Sequence, residues 1–204
     1  RIRHYIETDK PPFDVPANLD AFIAELHRAK TLEYTRMIAD GRIPLRPGVR
    51  RLLEAARDAG IRLAIATTTT PDNVRALIES NLPSAAMGWF EVIGAGDIVA
   101  NKKPAPDIYC WVLQQMRIQP DQVVAFEDSE HGVTAATGAG IRRIVVTTNG
   151  YTIGQDFAAA SLVVDSLGEP GQPAHVSRGP ELAQGLVDLA IIDKLQGASG
   201  SVAN

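Results

Sequence analysis

The chain has 204 residues, of which 45% are hydrophobic and 22% charged, and its formal net charge is −4. These values suit one medium-sized α/β domain, and they argue against a nucleic-acid-binding protein because no basic stripe stands out. No apolar run approaches the length of a membrane span. The single cysteine, Cys110, excludes an internal disulfide and is expected to be a small buried group. We therefore expect a cytoplasmic monomer without nucleic-acid or membrane partners.

The N-terminal part of the chain is predicted to be helical. Residues 1–6 look like the middle of an amphipathic helix without a start signal, so we expect that further sequence precedes them in the complete protein. Four residues recur at helical spacing and predict a long helix over residues 19–39: Ile23, Leu26, Tyr34 and Met37. Residues 40–48 hold two prolines and two glycines. We place a domain boundary there, between residues 1–45 and a core of residues 46–196.

Helices and strands alternate in the predicted core. The expected strands cover residues 62–66, 90–94, 123–126, 143–147 and 162–164. The expected helices cover residues 48–59, then begin at 71, after 106 and at 129, with a short one over 156–160 and a terminal one over 181–195. This alternation predicts a doubly wound parallel sheet, and the tail over residues 197–204 is expected to be disordered.

A threonine-rich junction follows the first predicted core strand. Ligands bind beyond the carboxyl ends of the strands in such sheets, where Thr67, Thr68 and Thr69 would lie. Thr70 is a suitable N-cap and Pro71 a suitable first residue for the next helix, whose free N–H groups would attract an anion. The three threonines are therefore candidate phosphate ligands. A threonine-rich turn with an ordinary helix cap is the alternative.

Two further junctions carry charges. Lys103 precedes a Pro-Ala-Pro segment at a helix entry, where its ammonium would neutralise a phosphoryl oxygen and an attacking carboxylate. Glu127 and Asp128 follow a buried strand, and adjacent carboxylates repel each other unless a cation or hydrogen bonds compensate. Oxygen ligands suit Mg²⁺. The alternatives are a solvated lysine in a loop and two acids near the positive end of a helix dipole.

Threonine, lysine and an acidic pair that end successive strands in this order resemble the haloacid dehalogenase superfamily. Lys103–Tyr109 and Glu127–Ser129 are typical of its beta-phosphoglucomutase and phosphoglycolate-phosphatase group. Within that group, His27–Lys30, Leu45–Gly48 and Ala64–Thr69 look most like the CbbY-type sugar-bisphosphate phosphatases. The resemblance runs from the start of the chain to about residue 168, and the segment beyond it has no assigned role.

The resemblance implies a Mg²⁺-dependent phosphatase for a small sugar phosphate or bisphosphate, with xylulose 1,5-bisphosphate as the specific candidate. It implies that an aspartate attacks phosphorus while Lys103 and Thr67 stabilise the phosphoryl oxygens. Asp128 would contact Mg²⁺ directly, and Glu127 directly or through water. Residues 1–45 would be the later part of a helical cap that closes over the substrate.

The chain departs from the family pattern in one respect. The family's Asp-x-Asp motif, which supplies the nucleophile, the acid/base and metal contacts, occurs nowhere in the 204 residues. In the family this motif ends the first strand, which precedes the cap and lies between the strands that end here at Ala66 and Phe126. The chain is therefore expected to be inactive alone and to lack a central strand. A phosphosugar mutase and a non-catalytic phosphate-binding remnant are the alternatives.

A sugar bisphosphate also needs a cation for the phosphate that does not react. Lys30 lies on an otherwise apolar stripe of the first long helix, where it must snorkel to water or bind an anion. Arg46 lies at the predicted hinge before Pro47, from which it would reach the cleft or brace the hinge against an acid. Lys30 and Arg46 are therefore candidate ligands of the distal phosphate.

Overall fold

A computed structural model describes residues 3, 6, 12 and 14–197 of the chain. The helix predicted over residues 1–6 therefore lies mostly outside the described residues, as does the tail beyond residue 197. The chain divides into two compact units between Ile43 and Pro44. The identity of the first unit as part of a helical cap stays a prediction.

The first unit contains one long helix, α1 (Leu19–Ala39), with the bounds that the sequence predicts. The helix begins where Asn18 Oδ1 accepts a hydrogen bond from the Ala21 amide at 3.0 Å. Asp20 lies in the first turn, where a negative charge is favourable near the positive end of the helix dipole. Most described side chains of α1 are exposed, and Leu32 is 73% exposed.

The second unit alternates helices and strands. Its helices are α2 (Val49–Asp58), α3 (Pro71–Asn81), α4 (Asp107–Met116), α5 (Glu130–Gly138) and α6 (Leu189–Gly197). Its strands are β1 (Leu63–Ala66), β2 (Phe90–Gly94), β3 (Val124–Glu127), β4 (Arg143–Thr147), β5 (Leu162–Val164) and β6 (Val176–Arg178). Short 3-10 helices cover Ser84–Trp89, Pro120–Gln122 and Ala183–Gly185.

The strands form two separate sheets. β1 and β2 pair in parallel, whereas β3, β4 and β5 form a second parallel sheet to which β6 adds an antiparallel edge. Among the described residues β1 and β3 are not paired with each other. The predicted parallel α/β fold is confirmed, and the strand that the resemblance places between β1 and β3 in the complete protein stays a prediction.

The core lies on both faces of the larger sheet, because successive side chains of a strand point to opposite faces. Ile144 and Val146 of β4 belong to a buried cluster with residues of α4 and α5. Val145, between them, belongs to a second cluster with residues of α2 and α6. Helices therefore cover the sheet on both sides, as a doubly wound fold requires.

Several local predictions are wrong. Residues 156–160 form a turn, with Asp156 Oδ1 accepting from the Ala158 amide, where a short helix was expected. The terminal helix begins at Leu189, eight residues later than predicted, because Asp188 Oδ1 accepts from the Ile191 amide and caps it there. The sequence also does not predict β6, a strand of three residues in which the serine and the arginine are exposed.

Two burial expectations are also wrong. Cys110 is exposed, because the buried face of α4 is formed by its neighbours on the other side of the helix. Phe126, in a strand expected to be buried on both faces, is 40% exposed. Its neighbours Ala125 and Glu127 point to the opposite, packed face. The exposed ring lies on β3, which is an edge strand of the larger sheet.

The segment after β5, which the sequence left without a role, is held to the core by Arg51. This α2 side chain donates from Nη2 to the carbonyl oxygens of Leu167 at 2.9 Å, Gly168 at 3.1 Å and Val187 at 2.9 Å. Buried carbonyl groups without a donor are costly, so Arg51 satisfies acceptors on two parts of this segment at once. The C-terminal segment is therefore an integral part of the core.

In the described part of the chain, no helix combines the length and the apolar composition needed to cross a membrane.

We expect Arg51→Met to lower the free energy of unfolding by about 2–3 kcal/mol, because the apolar stem remains while the carbonyl groups of Leu167, Gly168 and Val187 each lose the Arg51 donor. Among the described residues only Leu167 O keeps a second donor, the Val187 amide. The matched control is Arg50→Met, whose exposed side chain pairs with Glu54 on the same helix and with no other described residue. That change should cost about 0.5 kcal/mol or less. Urea unfolding followed by circular dichroism measures both, and equal losses would contradict the anchoring role.

Candidate active site

The threonines after β1 form the entry to α3. The Thr67 amide donates to Gly94 O at 2.8 Å, which extends the pairing of β1 with β2 by one residue. Thr67 Oγ1 accepts from the Thr69 amide at 3.2 Å, so its own hydroxyl proton is directed elsewhere. Thr70 caps α3 through the Asn73 amide, as predicted. Thr67 and Thr69 are half-buried and Thr68 is exposed.

Lys103 joins the ends of the two sheets. Its Nζ donates to Ala66 O, at the end of β1, over 3.0 Å, and to Glu127 Oε1, at the end of β3, over 2.6 Å. The lysine side chain is 15% exposed. Two of the three ammonium protons are thereby used, and no described residue accepts the third, which can meet an incoming anion. The solvated-lysine alternative does not fit this arrangement.

Glu127 is held from three sides. Its side chain is 6% exposed, and Oε1 accepts from Lys103 and from the hydroxyl of Tyr109. On the other side, a Cβ built on Gly132 would lie 1.8 Å from Glu127 Oε2. The carboxylate therefore occupies space that only a glycine at position 132 leaves open. Ser129 Oγ caps the same helical turn by accepting from the Gly132 amide at 3.3 Å.

Tyr109 lies against both partners of this ion pair. The centroid of its ring is 4.8 Å from Lys103 Nζ. Burial raises the pKa of the Tyr109 phenol, and the Glu127 carboxylate raises that pKa further. The hydroxyl therefore stays protonated at neutral pH and can donate to Glu127 throughout the physiological range.

Asp128 has a different environment from its neighbour. Its carboxylate is exposed and makes no hydrogen bond or ion pair with any described residue. Free carboxylate oxygens at a strand end suit Mg²⁺. Among the described residues, however, there is no group of three or more His, Cys, Asp or Glu side chains that could hold a metal ion. Asp128 thus fits as one ligand of such a site, whereas Glu127 is engaged by Lys103 and Tyr109.

Arg46 braces the core, although the sequence also suggested it as a phosphate ligand. Nη1 donates to the carbonyl and hydroxyl oxygens of Thr147, and Nη2 donates to the carbonyl oxygens of Thr148 and Asp165. These four bonds use all the protons on its terminal nitrogens. A distal phosphate would have to displace them. The structure therefore fits the interpretation that Arg46 braces the chain near the hinge. Its partners are carbonyl and hydroxyl oxygens, whereas the sequence suggested an acidic side chain.

Lys30 belongs to the other unit, on α1. Of its stripe, Ile23, Tyr34 and Met37 are half-buried, whereas Lys30 is exposed and has no ion pair with a described residue. This agrees with a lysine that extends to water, and it equally leaves the ammonium available to an anion. Its role as a substrate ligand stays a prediction.

The sequence model of the haloacid dehalogenase-like hydrolases matches residues 12–140. The chain belongs to this family. CbbY of Rhodobacter capsulatus is 50% identical to it over 148 residues, which are 72% of this chain and 65% of that protein. A phosphorylated carbohydrates phosphatase of Thermotoga maritima is 33% identical over 150 residues, which are 74% of this chain and 66% of that protein.

A solved structure extends the similarity to three dimensions. A mutant of CbbY from Rhodobacter sphaeroides, crystallised with xylulose-(1,5)bisphosphate, superposes with a TM-score of 0.70 at 44% identity. The match covers 83% of this chain and 73% of that one. The chain thus spans less than two thirds of the R. capsulatus relative and about three quarters of the crystallised protein.

Lys103 connects the predicted threonine junction to the predicted acidic junction, and the catalytic and binding roles of these residues stay predictions. Lys103 contacts the strand end next to Thr67 and also contacts Glu127, which precedes Asp128. The sequence suggests a close approach at Gly132 but does not predict that Tyr109 and Gly132 both meet Glu127. A polar aromatic residue in the first turn of a largely apolar helix was the signal for Tyr109, and a glycine three positions after the cap Ser129 was the signal for Gly132.

We expect Gly132→Ala to lower the free energy of unfolding by about 1–3 kcal/mol, because the new Cβ overlaps the Glu127 carboxylate. This reverses the usual sign, since alanine inside a helix gains about 1 kcal/mol over glycine. Gly138→Ala on the same helix is the control, as its nearest neighbour is Pro106 Cβ at 3.2 Å. Thermal unfolding of the two variants and the unsubstituted protein measures the difference. A Gly132→Ala variant that is more stable than the unsubstituted protein would contradict the tight fit around Glu127.

Proposed function

We propose that the complete protein, meaning this chain together with an upstream first strand, is a Mg²⁺-dependent phosphatase for a small sugar phosphate or bisphosphate. The specific candidate is xylulose 1,5-bisphosphate, the ligand of the crystallised R. sphaeroides relative. The observation that carries the proposal is the bridge of Lys103 Nζ between Ala66 O and Glu127 Oε1. It holds a cation at the strand ends with one donor left for a phosphoryl oxygen.

In this mechanism the chain orients and neutralises the reacting phosphoryl group. Lys103 donates its remaining proton to one phosphoryl oxygen, and the Thr67 hydroxyl donates to another. Amide groups at the start of α3 favour a negative charge nearby. An aspartate supplied by the upstream strand attacks phosphorus and breaks its bond to the sugar oxygen, which a second aspartate of that strand protonates. Water then hydrolyses the aspartyl phosphate, which releases inorganic phosphate and restores the carboxylate.

We assign one ligand of the metal to Asp128. Mg²⁺, when bound, supplies positive charge that lowers the cost of the negative phosphoryl oxygens. The remaining protein ligands would come from the upstream Asp-x-Asp segment. Glu127 contributes by holding Lys103. The cytoplasmic location and the monomeric state expected from the sequence stay predictions.

The test is phosphate release from aryl phosphates and sugar phosphates by the complete protein. We expect Lys103→Ala to lower kcat roughly a hundredfold, the usual scale for a lost electrostatic contact to the transition state. The matched control is Lys102→Ala, which removes a neighbouring, more exposed lysine that pairs with Asp97. The 204-residue chain alone should release no phosphate, because it lacks the nucleophile.

Equal losses in the two lysine variants would contradict the role of Lys103. Turnover by the chain alone at the rate of the complete protein would contradict the whole mechanism. Transfer of phosphate to a second position of the sugar, without release, would favour the mutase alternative.

Substrate choice gives a separate test on α1. If Lys30 binds the distal phosphate, Lys30→Ala should raise KM for a bisphosphate about tenfold and leave KM for a small aryl phosphate nearly unchanged. Arg28→Ala is the control, because residues two apart on a helix point about 200° from each other. The same rise in KM on both substrates would eliminate Lys30 as a ligand of the distal phosphate.

A further inference from the structure

Tyr109 is a buried side chain that touches both members of the Lys103–Glu127 pair. Its hydroxyl donates to Glu127 Oε1, the same oxygen that accepts from Lys103 Nζ at 2.6 Å. Its ring lies 4.8 Å from that Nζ. The residue is 8% exposed and comes from the first turn of α4, just after the loop that carries the lysine.

Packing alone does not explain the hydroxyl. The neighbours of Tyr109 in the buried cluster are apolar, among them Ile108 and Leu113, and a phenylalanine ring would fill the same space. A buried hydroxyl without a partner would be costly, and here the partner is a carboxylate of the candidate site. The hydroxyl therefore acts on Glu127 and not on the core.

The hydrogen bond from the Tyr109 hydroxyl restricts the rotation of the Glu127 carboxylate. Tyr109 and Lys103 hold Oε1, and Oε2 occupies the space where a side chain at position 132 would begin. A carboxylate fixed in this way gives the lysine a single acceptor position. Without the hydroxyl, the carboxylate can rotate within its pocket and the Nζ follows it.

The tyrosine ring restrains the lysine a second time. A cation within about 6 Å of the ring centroid is attracted to the face of an aromatic ring, and the attraction strengthens in a dry site. Lys103, largely removed from water, lies at that range. The ammonium is therefore set between the ring, the Glu127 oxygen and Ala66 O, with one proton free.

We propose that Tyr109 is a positioning residue, which fixes the direction of Lys103 through its ring and through its hydroxyl bond to Glu127. The inference rests on the proposed phosphatase function, in which Lys103 meets the phosphoryl oxygen. Tyr109 itself does not touch the substrate. Its loss displaces a charge that must match the transition state, so kcat falls more than substrate binding does.

The test compares Tyr109→Phe, which keeps the ring and removes the hydroxyl, with Tyr109→Leu, which removes both. Tyr151→Phe is the matched control, because Tyr151 is 97% exposed. In the complete protein, with an aryl phosphate, Tyr109→Phe should lower kcat about tenfold or more and change KM less than about threefold. Tyr109→Leu should lower kcat further, and Tyr151→Phe should leave both constants unchanged.

A second measurement distinguishes positioning from loss of folded protein. NMR spectra of lysine-labelled protein, with the Lys103 signal assigned through Lys103→Arg, report the ring-current shift of the Lys103 ε protons. In the unsubstituted protein we expect the Lys103 ε protons to resonate upfield of those of Lys102. In Tyr109→Phe their chemical shift should move part of the way toward the Lys102 value, and in Tyr109→Leu it should reach that value. The proposal requires that Tyr109→Phe lowers kcat and also changes the chemical shift of the Lys103 ε protons. If either quantity is unchanged in this variant, the proposal is wrong.

If the unsubstituted protein releases no phosphate, the proposed function fails and the NMR result alone decides whether Tyr109 holds Lys103. Equal ε-proton shifts for Lys103 and Lys102 in the unsubstituted protein would then overturn the positioning role as well.

Discussion

The contact of Lys103 with Ala66 and Glu127 is the interaction on which the arrangement of the site depends. β1 and β3 belong to separate sheets, so among the described residues no ladder of backbone hydrogen bonds aligns their carboxyl ends. One ammonium group contacts both ends at once. The distance between the threonine junction and the acidic junction is thereby set by a side chain, which also carries the charge that phosphate chemistry requires.

A buried ion pair stabilises a protein only when its remaining hydrogen-bonding capacity is satisfied. Here Ala66 O accepts from the lysine and the Tyr109 hydroxyl donates to the glutamate, so that one ammonium proton is left for an incoming anion to satisfy. Gly132 provides the space for the carboxylate. Of the two adjacent acids, Glu127 therefore positions the Lys103 ammonium, whereas Asp128 is exposed and can contact a ligand from solution.

The positively charged residues near the strand ends divide into two kinds. Lys103 retains a free donor, whereas Arg46 and Arg51 donate to backbone carbonyl groups of β4 and of the C-terminal segment. An arginine can satisfy several carbonyl groups at once because its guanidinium carries five donors in a fixed plane. The guanidinium that a motif suggested for substrate binding thus serves to hold the last third of the chain.

The sequence by itself determined the alternation of helices and strands, the bounds of α1, β2, β4 and β5, and the order of threonine, lysine and acidic pair. These follow from local periodicity and from caps such as Thr70 and Ser129, which act over a few residues. The tertiary structure alone decided that Arg46 braces the core, that Glu127 holds Lys103 while Asp128 stays free, and that Tyr109 joins them. These roles depend on contacts between residues 18 to 119 positions apart, and local pattern carries no information on which donor meets which acceptor.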